Sequence, residues 1–470
     1  MPPTAFACCA SSPPGGRLRA VKTLVRSTVK IPPPSHLPHP IESLRRGNWV
    51  KLICGASFED AADVRNLSLV YTLAGVDCID CAADEPVVNA VNEGIDAAMS
   101  ISMVNRPWVM ISVNDDKEDL HFRKAEFDPE DCPSDCPRPC EKVCPATAIL
   151  LQRVFEEGEL VQNTEWGKLQ GGVITERCYG CGRCFPICPY DKIRAITYVR
   201  DPSTTTKLLQ RSDVDAIEIH TSGRCTDSFS ELWNSLGDSL KNVKLVAVKR
   251  GNLSKPMTPE IWQVSLPNVG ESTLPVMNLI YAIMQPYIKC YNLWQLDGRP
   301  MSGDIGRGAT KEAVDFAVHL AAARNKPHGF YQLAGGTNAF TIKSLKKQGL
   351  FQTMTIDELI VVSTAQKQLV LAGSILALWL LLYDISLLTL NQWNSLEKRN
   401  EDKQARPEQA YIGGIAYGGY ARKIVGKILH KMPTQHGHAR IEDHPEYLME
   451  AVKEALTLIG PVKGYAELRF

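Results

Sequence analysis

The chain has 470 residues, of which 44% are hydrophobic and 22% charged, enough apolar material for two or three domains and at least one large core. Basic and acidic side chains balance at 52 each, and no basic face of the kind that nucleic-acid binders carry stands out. The balance is uneven: residues 1–41 carry five basic side chains (Arg17, Arg19, Lys22, Arg26 and Lys30) and no acid, so the remainder is net acidic. With Ser11, Ser12, Ser27 and Ser35, several prolines and no long apolar run, this leader reads as an organelle transit peptide or a disordered extension.

Beyond it, apolar β-rich segments alternate with helical periodicity. Residues 49–57 predict a strand, 58–74 a helix closed by Gly75, 76–83 a second strand, 85–99 a helix and 107–113 a third strand. After a cysteine-rich stretch the alternation resumes with a helix over 204–211, a fourth strand over 214–222, a helix over 229–240 and a fifth strand over 243–250. A helix over 276–288 leads to a sixth strand at 292–297, and a helix over 310–324 to a seventh at 329–334. A helix over 341–347, an eighth strand at 411–417 and a helix over 421–431 complete the series.

Eight β/α alternations predict an α/β fold: a parallel (β/α)8-barrel-like domain with an inserted α+β ferredoxin-like two-cluster module. A doubly wound sheet is the alternative. The expected divisions are 1–41 as leader, 42–127 as the first part of the barrel-like domain, 128–199 as the insertion and 200–470 as the remainder. Loops after barrel strands lie on the catalytic face, so an insertion after the third strand stands beside the barrel mouth.

Eight of the fifteen cysteines fall into two runs, each ending in Cys-Pro. Cys178, Cys181, Cys184 and Cys188 have the spacing of a bacterial-type ferredoxin, in which three thiolates wrap one iron–sulfur cube and the fourth ligates the other cluster of a pair. That logic groups Cys178, Cys181 and Cys184 with Cys144, and Cys188 with Cys132, Cys136 and Cys140. The wider spacing of the upstream run leaves 4Fe–4S and 3Fe–4S both open for its cluster. Four thiolates also suit zinc, but zinc ribbons separate two CxxC pairs by a longer spacer. Cysteine usage of this kind points to metal in a reducing compartment, not to disulfides. Cys78 and Cys81 share a strand on opposite faces and read as packing residues, as do the isolated Cys54, Cys225 and Cys290.

A second site is expected where Gly335 and Gly336 follow the seventh strand and Gly413 and Gly414 open the eighth, with Gly418 and Gly419 beyond it. Loops after strands seven and eight of barrels often bind phosphate through backbone N–H groups, and Arg422 and Lys423 add charge. The same glycines also serve tight turns and packing. Asp80, Glu218, His220, Asp297 and Arg299 are further polar residues near strand ends. No nucleophile–base pair or carboxylate dyad follows from spacing. Residues 369–383 are uncharged and apolar, short of the roughly 20 residues that a membrane helix needs, and membrane insertion is not expected.

The motifs CPSDCPRPCEKVCP from Cys132, CYGCGRCFPICP from Cys178, WQLDGRPMSGDIG from Trp294, GGTN from Gly335 and GGIAYGGYARK from Gly413 resemble the light-dependent period protein A family, over about residues 41–430. The family comprises iron–sulfur proteins of cyanobacteria with plastid relatives in plants. The resemblance implies a chloroplast stromal protein with two iron–sulfur centres on the eight cysteines named. For cyanobacterial members it implies redox sensing that feeds the circadian clock. Residues of about 354–406 depart from the family pattern and read as an atypical insertion, such as an unspliced intron. Two functions follow as expectations: redox sensing or electron transfer with a protein or small-molecule redox partner, or an oxidoreductase whose barrel binds flavin or another phosphate-bearing molecule.

Overall fold

A computed structural model describes residues 39–117, 121–154, 168–221, 226–237, 239, 261–267, 273–285, 291–297, 309–323, 325–350, 412–433 and 440–465. In chain order the described strands are β1 (Trp49–Gly55), β2 (Cys78–Ala82), β3 (Trp108–Asn114), β4 (Arg123–Glu126), β5 (Ile149–Val154) and β6 (Lys168–Val173). They continue with β7 (Arg194–Thr197), β8 (Ala216–His220), β9 (Ile261–Pro267), β10 (Tyr291–Asp297), β11 (Phe330–Leu333) and β12 (Gly414–Tyr417).

Eight of these form a curled, all-parallel sheet in a mixed α/β architecture, with neighbours in the order β1-β12-β11-β10-β9-β8-β3-β2 and β2 returning to β1. Between β3 and β8 the chain leaves this sheet for two antiparallel pairs, β4 with β7 and β5 with β6. The fifth strand of the ring is Ile261–Pro267, which pairs with β8 and β10. The strand expected at 243–250 lies outside the described residues, and the ring's fifth place belongs to a segment with no expected element. Residues 1–38, the segment expected to be an insertion at 354–406 and the apolar run at 369–383 also lie outside them. Among the described residues no helix is long and apolar enough to cross a membrane.

Local chemistry explains the helices that flank the ring. Asp60, Asp84 and Asp201 each accept the backbone N–H three residues on, from Asp63, Val87 and Thr204, and so start the helices Ala61–Ala74, Glu85–Ile101 and Pro202–Leu209. Gly75 ends the first of these in the left-handed conformation, at φ 89°.

Alternation along the strands sorts the ring into faces. Val50, Leu52, Ile79, Cys81, Val109, Ile111, Ile217 and Ile415 belong to the core shared with the surrounding helices. Trp49, Cys78, Met110, Ala216, Leu293 and Phe330 form a separate apolar layer inside the ring, closed from below by Ile41 and Leu44. Cys78 and Cys81 thus face opposite ways. Burial of each large side chain in these layers contributes about 1.5–3 kcal/mol.

Two residues further along the same six strands the interior changes character. Lys51, Asp80, Ser112, Glu218, Gln295 and Gln332 make a buried polar layer above the apolar one. The C-terminal helix Pro445–Lys463, without a counterpart among the expected elements, packs on β1 and on helix Ala61–Ala74. Its Lys463 Nζ donates to Asp77 Oδ2 at 2.5 Å, and Asp77 also accepts from Val50 N and Ser43 Oγ.

Candidate metal centre

The eight run cysteines sit on the segment between β3 and β8. Cys140 lies in the short helix Pro139–Val143, which Arg138 enters with a left-handed φ of 52°. Arg138 Nη1 donates to Leu151 O at 2.8 Å, and Glu141 Oε1 accepts from Leu151 N at 3.1 Å, so the helix is tied to β5 from both sides. Downstream, the loop through Cys178, Cys181 and Cys184 turns on Gly180 and Gly182, at φ 70° and 77°. Arg123 of β4 holds this loop: its Nε donates to Gly180 O at 2.8 Å, and its guanidinium lies 5.1 Å from the centre of the Phe185 ring. At φ 77° a side chain on Gly182 would be strained, and its Cβ would come within 2.3 Å of Arg123 Nη2.

Electrostatics divides the cysteines into two quartets. Burial pushes Cys132 up to about 11, and Cys136, Cys140 and Cys188 add to the shift. Burial likewise pushes Cys184 up to about 12, with Cys181, Cys178 and Cys144 as its thiol neighbours. Cys181 is raised by burial and then by Cys144 and Cys178, whereas Cys140 is raised by burial and then by Cys136 and Cys188. Cys144 thus stands near Cys178, Cys181 and Cys184, and Cys188 near Cys132, Cys136 and Cys140.

These surroundings suit iron–sulfur chemistry. Cys144, Cys178, Cys181 and Cys184 line one small cavity of about 20 Å³ with Ala125, Ala148, Ile149 and Phe185. Backbone N–H groups point at three of the sulfurs: Ala125 N at Cys178 Sγ (3.3 Å), Ala148 N at Cys144 Sγ (3.2 Å) and Lys192 N at Cys188 Sγ (3.4 Å). Such donors stabilise cluster-bound thiolates and set their potential. Among the described residues no three His, Cys, Asp or Glu side chains converge on a single metal-ion point, so the fit is to the soft donor set and its cavity, not to a closed tetrahedron.

A larger cavity, of about 550 Å³, begins where this loop ends. Tyr179, Gly180 and Cys181 form one wall, and Asp80, Glu218, His220 and Asp297 lie below. Four of the five polar residues expected near strand ends thus meet in one place; Arg299 lies outside the described residues. Gly335 and Gly336 line the cavity, as do Arg422 and Lys423. Gly413 and Gly414 do not, which corrects the expected phosphate site: they stand at the opposite end of β12. A Cβ on Gly413 would meet Leu44 O at 2.9 Å, and one on Gly414 would meet Trp49 O at 2.3 Å. Their role is close packing, and Gly418 and Gly419 take their place at the mouth.

Pattern reading missed the residues that organise the floor. Lys51 Nζ donates to Glu218 Oε2 at 2.5 Å and to Asp80 Oδ2 at 3.4 Å. Gln295 Nε2 donates to Glu218 Oε1 (2.9 Å), Gln332 Nε2 to Gln295 Oε1 (2.8 Å), Trp49 Nε1 to Gln332 Oε1 (2.6 Å) and Ser112 Oγ to Asp80 Oδ1 (2.6 Å). Burial raises Asp80 to about 7, Lys51 opposing and Glu218 adding to the shift. Burial also acts to raise Glu218, but Lys51 and then His220 outweigh it and bring Glu218 down to about 2. Of the two carboxyls Glu218, with the shorter lysine contact, is the stronger acid, and Asp80 the weaker. A lysine at an inward strand position was the signal available in WVKLICG.

Clustered cysteines with N–H donors on three of their sulfurs, beside a parallel α/β ring, suit an iron–sulfur protein, and comparison with known sequences supports that class. The family model described as the LdpA Fe-S cluster-binding domain matches residues 132–199, and that of the light dependent period A C-terminal domain matches residues 208–461. The chain is 36% identical over 424 residues to light dependent period A of Synechococcus elongatus, covering 90% of this chain and 94% of that protein. The chain belongs to the light dependent period A family.

Proposed function

We propose that this chain is a two-cluster iron–sulfur protein of the chloroplast stroma that senses redox state or transfers electrons. The reading is carried by the division of eight cysteines into Cys132, Cys136, Cys140 and Cys188 on one side and Cys144, Cys178, Cys181 and Cys184 on the other. A cluster on each quartet supplies one-electron chemistry. The chain's own part is to hold the thiolates, through Arg123 on the Gly180 carbonyl and Arg138 and Glu141 on β5, and to aim N–H groups at the sulfurs. In this reading the segment between β3 and β8 is a ferredoxin-type module inserted in a (β/α)8-barrel-like domain, both clusters are 4Fe–4S with 3Fe–4S the alternative for the Cys132 set, and residues 1–41 are a transit peptide. The partner is a redox protein or a small-molecule donor or acceptor.

The test is EPR of anaerobically reconstituted protein, oxidised and reduced, with iron and sulfide assays. Two distinct signals are expected; absence of iron and sulfide after reconstitution would overturn the proposal.

A second reading is favoured by the Cys181 loop and the Asp80–Glu218 floor lining one cavity. In it the chain is a reductase, flavin-dependent or otherwise, whose acceptor binds at the barrel mouth. Stoichiometric flavin released from anaerobically purified protein would favour it.

A further inference from the structure

The barrel-mouth cavity, at about 550 Å³, is within the size range of small-molecule sites, and both basic and acidic side chains line it. Lys423 and Lys427, one turn apart on helix Gly419–Leu429, line it, as does Arg183 of the cysteine loop. Asp80, Glu218 and Asp297, all nearly inaccessible, form the floor. Asp63, raised by burial to about 6, is the remaining carboxyl on the wall.

Two stretches of bare backbone also line the cavity. Gly335 and Gly336 hold left-handed φ angles of 67° and 72°, and Gly418 and Gly419 follow β12. The first loop is pinned, because Thr310 Oγ1 donates to Gly336 O at 2.7 Å and Asn338 Nδ2 to the same oxygen at 3.1 Å. A ligand that fits this lining carries an anion for the bases and N–H or O–H donors for the carboxyls. Backbone glycine loops at strand ends, flanked by lysines, suit the three oxygens of a phosphate.

We infer that the cavity binds a phosphomonoester, its phosphate at Gly335–Gly336, Gly418–Gly419 and Lys423, its donor-bearing end over Asp80 and Glu218. The site is in contact with the cysteine loop: Arg422 lies 4.2 Å from the centre of the Tyr179 ring and also donates to the Cys54 carbonyl. On the reading that Cys144, Cys178, Cys181 and Cys184 carry a cluster, an electron taken up there adds negative charge beside the bound phosphate. The anion then binds the reduced protein more weakly and, by reciprocity, lowers the midpoint potential. Tenfold weaker binding to the reduced form corresponds to about 59 mV for a one-electron couple.

The experiment uses the full chain, reconstituted anaerobically, in calorimetric titrations with flavin mononucleotide, adenosine monophosphate and ribose 5-phosphate. Riboflavin, adenosine and ribose serve as unphosphorylated counterparts, and inorganic phosphate as competitor. At least one phosphomonoester binds one per chain, is displaced by phosphate and outcompetes its counterpart by about tenfold or more. Lys423→Glu with Lys427→Glu, both on exposed side chains, removes about tenfold of that affinity and leaves the counterpart's unchanged, with an unaltered melting temperature as the folding control. Binding of none of the three phosphomonoesters below millimolar concentration, or equal binding by the double variant, overturns the site. EPR-monitored titration with and without ligand reads the coupling: an unchanged midpoint with an intact signal refutes the linkage. Missing signal and iron refute the cluster reading instead, while phosphomonoester binding is still measured.

Discussion

Lys51→Met tests whether the polar layer is an electrostatic unit. The substitution keeps the length of the side chain and deletes an ammonium that lies 2.5 Å from Glu218 and 3.4 Å from Asp80 with no exposure to solvent. Unit charges 4 Å apart interact by about 4 kcal/mol at an effective dielectric of about 20, and stripping one partner from a buried pair costs about 3–5 kcal/mol. A loss of about 3–5 kcal/mol is therefore expected at about pH 8. The sign of its pH dependence follows from the carboxyls. Asp80 already stands at about 7 and Glu218 at about 2, and without the lysine both rise. A carboxyl whose folded value exceeds its unfolded value of about 4 carries no penalty below the unfolded value, and a growing one as pH climbs to the folded value. The deficit of the variant is thus smaller at about pH 5 than at about pH 8, and adding Asp80→Asn and Glu218→Gln recovers most of it. Urea unfolding followed through the tryptophan emission, Trp49 being part of the same network, measures this. A deficit below about 1 kcal/mol, or one independent of pH, would refute the reasoning.

Further outcomes follow from the other contacts. Cys184→Ala and Cys132→Ala should each remove one of two EPR signals and about half of the iron; loss of both signals from either change would break the quartet assignment. Arg123→Lys loses the bond to Gly180 O and the stacking on Phe185, so iron should leave the reduced protein faster in the presence of a chelator; an unchanged rate would show that the loop does not depend on the guanidinium. Gly414→Ala drives a Cβ to 2.3 Å from Trp49 O and should cost about 1–3 kcal/mol of stability without altering affinity for phosphomonoesters; a changed affinity would return this glycine to the ligand site. Lys463→Met strands the buried Asp77 carboxyl and should lower stability by about 3–5 kcal/mol, read by thermal melting; a neutral result would mean that the C-terminal helix is held by its apolar face alone.

Most of the ring was legible because strand and helix periods are local properties. Trp49–Gly55, Cys78–Ala82, Trp108–Asn114 and Tyr291–Asp297 lie within a residue or two of expectation. Ile261–Pro267 was not legible: its seven residues end in proline, which argues against a central strand, and only pairing with β8 and β10 identifies them as one. The helix Pro445–Lys463 escaped for a different reason. It lies beyond the last β/α alternation, and its anchor is a lysine bonded to a carboxylate 386 positions earlier.

By itself the amino-acid sequence determined the chemistry of the centre, because thiolate identity and spacing are written along a single stretch of chain. It also determined the alternation of parallel strands and helices, which follows from apolar period. Which glycines face the cavity was decided only by the tertiary structure. Gly413 and Gly414 differ from Gly418 and Gly419 in nothing but which end of one strand they occupy, and the ring sends those ends to opposite faces. The buried layer of Lys51, Asp80, Glu218, Gln295 and Gln332 belongs to the same class. Its members come from five strands spread over 282 positions of sequence, from 51 to 332, and acquire a common chemistry only when ring closure brings them within hydrogen-bond reach.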